Sequence, residues 1–214
     1  FRHYGPDDGL SMMSLYVGAQ DGAGFTWVGG ASGLVRYDGL RFRSYGLEEG
    51  LPSLLVTDLA VGPDGVLWGT TSRGAFRESR GRFIAFGVDV LPENAINQVA
   101  FDASGRFWVT TSAGPFTMVA PDKLELAPDW PGGDALAMLF EPDGSLLISH
   151  GRRLLRRAPS HTEFRDVGHD FAEPITAVVR DGSDRLWLRA GGHLWSQRTA
   201  DSPFEDRSAD YLGV

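Results

Sequence analysis

There is no cysteine in this chain, so it has neither a disulfide framework nor thiolate chemistry, and the redox compartment is left open. Lysine is almost as scarce. Lys123 stands alone beside nineteen arginines, a skew that hints at a GC-rich coding sequence and says little about activity. No apolar run approaches the roughly 20 residues that a membrane helix needs. The chain opens at Phe1 with neither an initiator Met nor a signal peptide, so an excised or processed piece is expected. Positive charge is also in deficit: a formal net charge of −8 and a pI near 5.1 argue against a nucleic-acid partner, whose backbone demands clustered cations. The one basic run, Arg152, Arg153, Arg156 and Arg157, alternates with Leu154 and Leu155 and reads as a solvated strand with its turn. No nucleophile elbow, phosphate-cradling glycine loop or zinc motif is present, and no pair among His3, His150, His161, His169 and His193 has helical metal-ligand spacing. No cofactor and no metal are therefore expected.

What the chain does have is 42% apolar residues over 214 positions, enough to bury a substantial core, and a repeat. Aligning on the Trp of "FTWVGG" brings together "VLWGTT" at Trp68, "RFWVTT" at Trp108, "SLLISH" with Ile148 in the Trp position, and "RLWLRA" at Trp187. Each anchor follows an Asp/Gly turn: "QDGAG", "GPDGV", "FDASG", "EPDGS" and "RDGSD". Within the second unit, strands are predicted at Val56 to Val61, Leu67 to Thr70, Ala75 to Glu78 and Arg82 to Phe86, separated by Pro63-Asp64-Gly65 and Ser72-Arg73-Gly74. Short runs between Gly, Asp, Asn and Pro turns, with no sustained 3.6-residue period, indicate all-β structure. A four-stranded unit recurring about every 40 to 45 residues predicts a β-propeller of antiparallel four-stranded blades. The repeats fall roughly at 5–45, 46–86, 87–127, 128–167 and 168–207, forming one propeller domain or part of one. Residues 1–4 resemble "FRSY" at Phe42 to Tyr45 and are expected to form an extra outer strand. Two segments would then compete for one outer position in a five-bladed ring, so further blades are expected beyond this chain, and exposed blade edges offer a route to a homodimer.

The first unit carries Asp8-Gly9-Leu10, Asp21 and Gly24, Trp27, Gly33-Leu34, Arg36-Tyr37-Asp38-Gly39 and Phe42, and the match continues into the second. That pattern resembles the propeller repeats of bacterial two-component regulators. The third unit has Gly114-Pro115 where the pattern has Gly-Leu, the fourth loses the Trp, and the fifth has Asp184 in place of the turn glycine. The resemblance implies a periplasmic sensor domain without catalytic activity. Such a domain binds a small molecule or glycan and signals through a membrane span, outside this chain, to a kinase or diguanylate cyclase. "PGGD" at Pro131 to Asp134 is not a cyclase signature, because Ala135-Leu136 follows it and it lies between two repeats.

Trp27, Trp68, Trp108 and Trp187 recur at one blade position and are expected to pack between sheets rather than to stack on sugars. The turn aspartates have a sufficient explanation in bonding their own backbone, and one turn offers a hard cation too few oxygens. Ligand-binding candidates are the departures from the repeat in inter-blade loops and turns: Tyr16, Arg73, Asn94, Asn97, Trp130, Asp134, His150, Arg152 and Arg189. Arginine forks, amides and an aromatic plane suit a carboxylated or hydroxyl-rich ligand. Two other readings stay open. One is a protein-docking or dimerisation scaffold, and the other a metal-dependent propeller lyase resembling streptogramin lyases, with His150 and Asp134 cast as its His and acid.

Overall fold

Alternation of inward apolar and outward polar residues, broken by turns every few positions, produces twenty short strands in five sheets among the described residues. The computed structural model describes residues 4–5, 8–10, 14–200 and 202–211; His3 and all but Tyr4 of the expected first strand lie outside them. The first sheet holds β1 (Leu15–Gln20), β2 (Thr26–Gly30), β3 (Gly33–Tyr37) and β4 (Phe42–Tyr45). The second holds β5 (Val56–Val61), β6 (Leu67–Thr71), β7 (Gly74–Ser79) and β8 (Arg82–Phe86). The third holds β9 (Ile96–Phe101), β10 (Phe107–Thr111), β11 (Gly114–Ala120) and β12 (Lys123–Leu126). β13 (Met138–Phe140), β14 (Leu146–His150), β15 (Arg153–Arg157) and β16 (Arg165–Asp170) make the fourth. The fifth comprises β17 (Ile175–Arg180), β18 (Leu186–Ala190), β19 (His193–Gln197) and β20 (Glu205–Asp206), followed by the one-turn helix α1 (Ser208–Tyr211). In every sheet the strands pair in chain order. The fold class is all-β, built from four-stranded propeller blades.

By internal contacts the chain divides into two units, one of Phe1–Val109 with Phe116–Glu125 and one of Thr110–Pro115 with Leu126–Val214. Unit 1 has two apolar cores. Trp27, Leu34, Tyr45, Val56, Leu67, Phe76 and Phe83 fill the space between the first and second sheets. Ala75, Phe86, Ile96, Val99, Phe107 and Phe116 fill that between the second and third. In unit 2, Leu147, Leu154, Phe171, Ile175, Leu186 and Leu188 join the fourth sheet to the fifth. An additional tie in unit 1 is polar: Asp58 on β5 accepts the Val99 N–H of β9 at 2.8 Å.

The hairpin at the start of each blade has one geometry. The first turn residue bonds the fifth, as in Asp21 N–H to Phe25 O, Gly62 to Val66, Asp102 to Arg106, Glu141 to Ser145 and Asp181 to Arg185. The fourth residue takes positive φ: Gly24, Gly65, Gly105, Gly144 and, in the fifth blade, Asp184 at 66°. This shared frame fixes the blade register. It places Leu147, not Ile148, in the Trp position, since Leu139 pairs Leu147 as Ala19 pairs Trp27 and Val179 pairs Trp187. The sequence alignment had slipped by one residue there, having stepped 40 residues on from Trp108, whereas the backbone turn begins at Glu141, six residues before Leu147.

In three blades the first turn residue is an aspartate that also holds the Trp. The indole Nε1–H of Trp27 donates to Asp21 at 2.7 Å, that of Trp108 to Asp102 at 3.1 Å, and that of Trp187 to Asp181 at 2.7 Å. Trp27 and Trp108 are buried, while Trp68 and Trp187 are half-buried. Trp68 lacks the acceptor, because Gly62 stands where the aspartate would be, and its buried Nε1 has no partner. Where Leu147 replaces Trp, Glu141 takes the turn position and binds two guanidinium groups, Arg156 at 3.1 Å and Arg180.

Candidate functional site

Each blade has, at the end opposite its hairpin, a short turn and the connection to the next blade. Thr71 and Thr111, both buried, build two of these turns. Thr71 Oγ1 donates to Gly74 O at 3.2 Å and accepts Arg73 N–H; Thr111 Oγ1 donates to Gly114 O at 2.7 Å and accepts Ala113 N–H. Such a turn tightens the backbone and throws the intervening residue outward. In unit 1 that residue is Arg73.

Arg73 Nε meets Glu93 Oε1 at 2.9 Å, and both side chains are more than half exposed. Asn94 follows, with φ 56° and its N–H on Ser72 O at 2.7 Å. Ser72 in turn shares a hydroxyl contact of 2.7 Å with Ser53. The structure therefore brings Arg73 and Asn94 together, with Glu93, Ser72 and Ser53 added. The three additions were missed because none departs from an ordinary loop composition. Tyr16 and Asn97 lie elsewhere in unit 1, each following the first residue of an innermost strand. Tyr16 sits at a β-bulge between Leu15 and Val17 and is 59% exposed. Bulges re-aim a side chain and recur beside functional sites. Asn97 is half-buried on β9.

In unit 2, Trp130, His150 and the segment before Asp134 form a second group. Trp130 is buried and donates Nε1–H to Gly133 O at 3.0 Å. A ring nitrogen of His150 lies 2.8 Å from Gly132 O, and its ring meets that of Trp130 edge-on at 5.3 Å. A side chain at Gly114 would strike the indole, with Cβ only 2.5 Å from Trp130 Nε1, so the glycine is needed for this packing. Asp134 is half-buried in the same connection. Arg152 pairs Asp170 at 3.1 Å, and Arg189 donates to Gly191 O of its own turn. Neither shares a described contact with the Trp130 group. Among the described residues no three His, Cys, Asp or Glu side chains converge as a metal-binding group.

Charge is tuned mainly in the hairpins. Hydrogen bonds from Trp187 and Ser183 hold the Asp181 carboxyl well below the usual carboxylate range. Asp102 is likewise lowered, its bonds from Ser104, Arg106 and Trp108 outweighing burial. Asp206 is brought down to about 2 by bonds from Ser208 and from His193. Asp58 moves the other way, because burial outweighs the Val99 and Leu59 N–H donors. These shifts belong to the framework.

No family model matches the chain, and no curated protein matches its sequence. Solved structures do match. The extracellular domain of a hybrid two-component system from B. thetaiotaomicron is similar at TM-score 0.77 and 19% identity, over 95% of this chain and 31% of that one. A second such domain from the same organism gives 0.73 and 16%, over 90% and 30%. Virginiamycin B lyase from Staphylococcus aureus gives 0.71 and 16%, over 90% of this chain and 69% of that one. At these identities the likeness is one of fold, and it agrees with the two-component regulator propeller resemblance seen in the repeats. The chain spans about a third of the length of the two-component domains. Among the described residues no helix is long and apolar enough to cross a membrane.

Proposed function

We propose that this chain is part of an extracytoplasmic, non-catalytic sensor domain that binds a small hydroxyl-rich or carboxylated molecule, including glycans, and passes the signal to an output module outside it. The observation that carries the reading is the blade repeat itself, whose motifs and fold both lead to extracellular domains of two-component systems. A periplasmic setting follows from the same reading. In unit 1 the ligand would meet the rim group of Arg73, Glu93, Asn94, Ser53 and Ser72. Its exposed fork, carboxylate and hydroxyls supply donors and acceptors on a scaffold fixed by the Thr71 turn. The Arg73–Glu93 pair is solvent-exposed and costs little to open.

The test is thermal unfolding against a panel of oligosaccharides and organic acids, with solution mass recorded alongside. Native-state binding should raise Tm in proportion to the logarithm of ligand concentration. Arg73→Ala should abolish that shift while leaving the ligand-free Tm within about 1 °C, as expected for an exposed side chain. A panel without effect, together with a concentration-dependent dimer, would instead support a docking scaffold. Turnover of a streptogramin with added divalent ion would support a lyase.

A further inference from the structure

We propose that the cleft between the fourth and fifth sheets, at the hairpin end of unit 2, is a binding site for a small aromatic carboxylate. Its origin is the repeat position that holds Leu147 instead of Trp. Comparable clefts exist in unit 1 where the tryptophan is kept: about 350 Å³ beside Trp27 and about 530 Å³ beside Trp68. Beside Leu147 the cleft reaches about 680 Å³, within the usual range for small-molecule sites. An isobutyl group stands there in the place of an indole, and Leu147, Leu186 and Val167 supply apolar lining.

The polar wall is organised. Glu141, whose side chain is only 10% exposed, fixes Arg156 and Arg180 in one arrangement. Arg156 is further held by Asp143 at 2.7 Å, and Arg180 donates to Asp184 O at 2.6 Å. Guanidinium planes fixed in this way offer faces on which an aromatic ring stacks. The cleft's acids are committed: Glu141 and Asp143 to these arginines, Asp184 to Arg180, and Asp166 to Arg153 at 3.3 Å. Arg198 also lines the cleft, is exposed, and has no ion-pair partner among the described residues. The net demand is for a flat apolar body carrying one negative group. The body replaces the missing indole and the carboxylate meets Arg198. This site stands apart from the rim group and does not depend on the sensor reading.

Isothermal titration of the chain with indole-3-acetate tests the site, with 3-methylindole and acetate as the two half-ligands. Saturable binding of the whole probe is expected, weaker by about tenfold for 3-methylindole and for Arg198→Ala, the loss of one charge-assisted contact. Leu147→Trp refills the repeat position and should abolish binding. Lys123→Ala, at an exposed cation outside the cleft, should leave it unchanged. Absence of saturable binding by indole-3-acetate overturns the proposal, and so does binding that survives Arg198→Ala at full strength. If Leu147→Trp overpacks the core, the exposed Arg198 variant decides alone.

Discussion

One aspartate side chain serves both the turn and the core in three of the five blades. Asp102 Oδ1 accepts Ser104 and Arg106 N–H, while Oδ2 takes the indole of Trp108. Asp102→Ala strands these donors and should cost about 1–3 kcal/mol, read as a lowered midpoint in urea with unchanged slope. The second blade allows the converse experiment. Gly62→Asp would give Trp68 Nε1 the acceptor that its counterparts have, once the Asp64 carboxylate, 2.6 Å from the new Cβ, swings aside. A gain of about 1 kcal/mol is expected. A loss in its place would show that Asp64, or the Trp68 indole whose Nε1 lies 3.0 Å from that Cβ, cannot give way. The depressed carboxyls also set the acid limb of stability. For Asp206, folded at about 2, the stabilisation is fully present above its unfolded pKa of roughly 3.9 and is lost as pH falls through about 2. Asp206→Asn should flatten the Tm-versus-pH curve between pH 4 and 2. Asp58 acts with the opposite sign, its folded pKa being raised, so its contribution fades as pH rises past the unfolded value.

At the scale of elements, strands and turns were legible because each repeat writes them again. The four strands read in the second repeat match β5 to β8 to within a residue at each end. The Arg152 to Arg157 run is a turn and strand, as its alternation implied. Register in the fourth blade was missed because the Trp that anchors the alignment is replaced there by one of three successive apolar residues, Leu146, Leu147 and Ile148, although the Pro-Asp-Gly turn shared with the second blade marks Leu147. Nor was the Arg156–Glu141–Arg180 group, whose members come from three strands or turns and meet only after two sheets pack. Removing its centre by Glu141→Ala leaves two arginines without their shared carboxylate. That should cost about 2–3 kcal/mol, less than a fully buried pair because Arg156 reaches water. The fifth hairpin has room for improvement. Asp184 holds a left-handed backbone that glycine adopts freely, so Asp184→Gly should stabilise by about 0.5–1 kcal/mol. Its side chain is 80% exposed and sits 3.5 Å from Arg180, so the ion pair gives up little in exchange.

For the whole molecule, composition excluded more than it assigned. A charge of −8 argues against a nucleic-acid partner, the lack of cysteine leaves this chain no thiol chemistry, and the repeat supplied the fold class. The site was legible only in fragments. Arg73 and Asn94 meet, but what joins them is Glu93 and two serines that no pattern marks, because the neighbours of a loop residue are chosen by the fold. Chain-order pairing in all five sheets has a further consequence for how the protein comes apart under load. Each blade closes on itself over some 40 residues, so its hydrogen bonds can rupture without unthreading any other blade. Pulled from its ends in an optical trap, the chain should lengthen in steps of one repeat, roughly 130–140 Å each at full extension. A single rip would mean that packing between adjacent sheets outweighs the ladders within them.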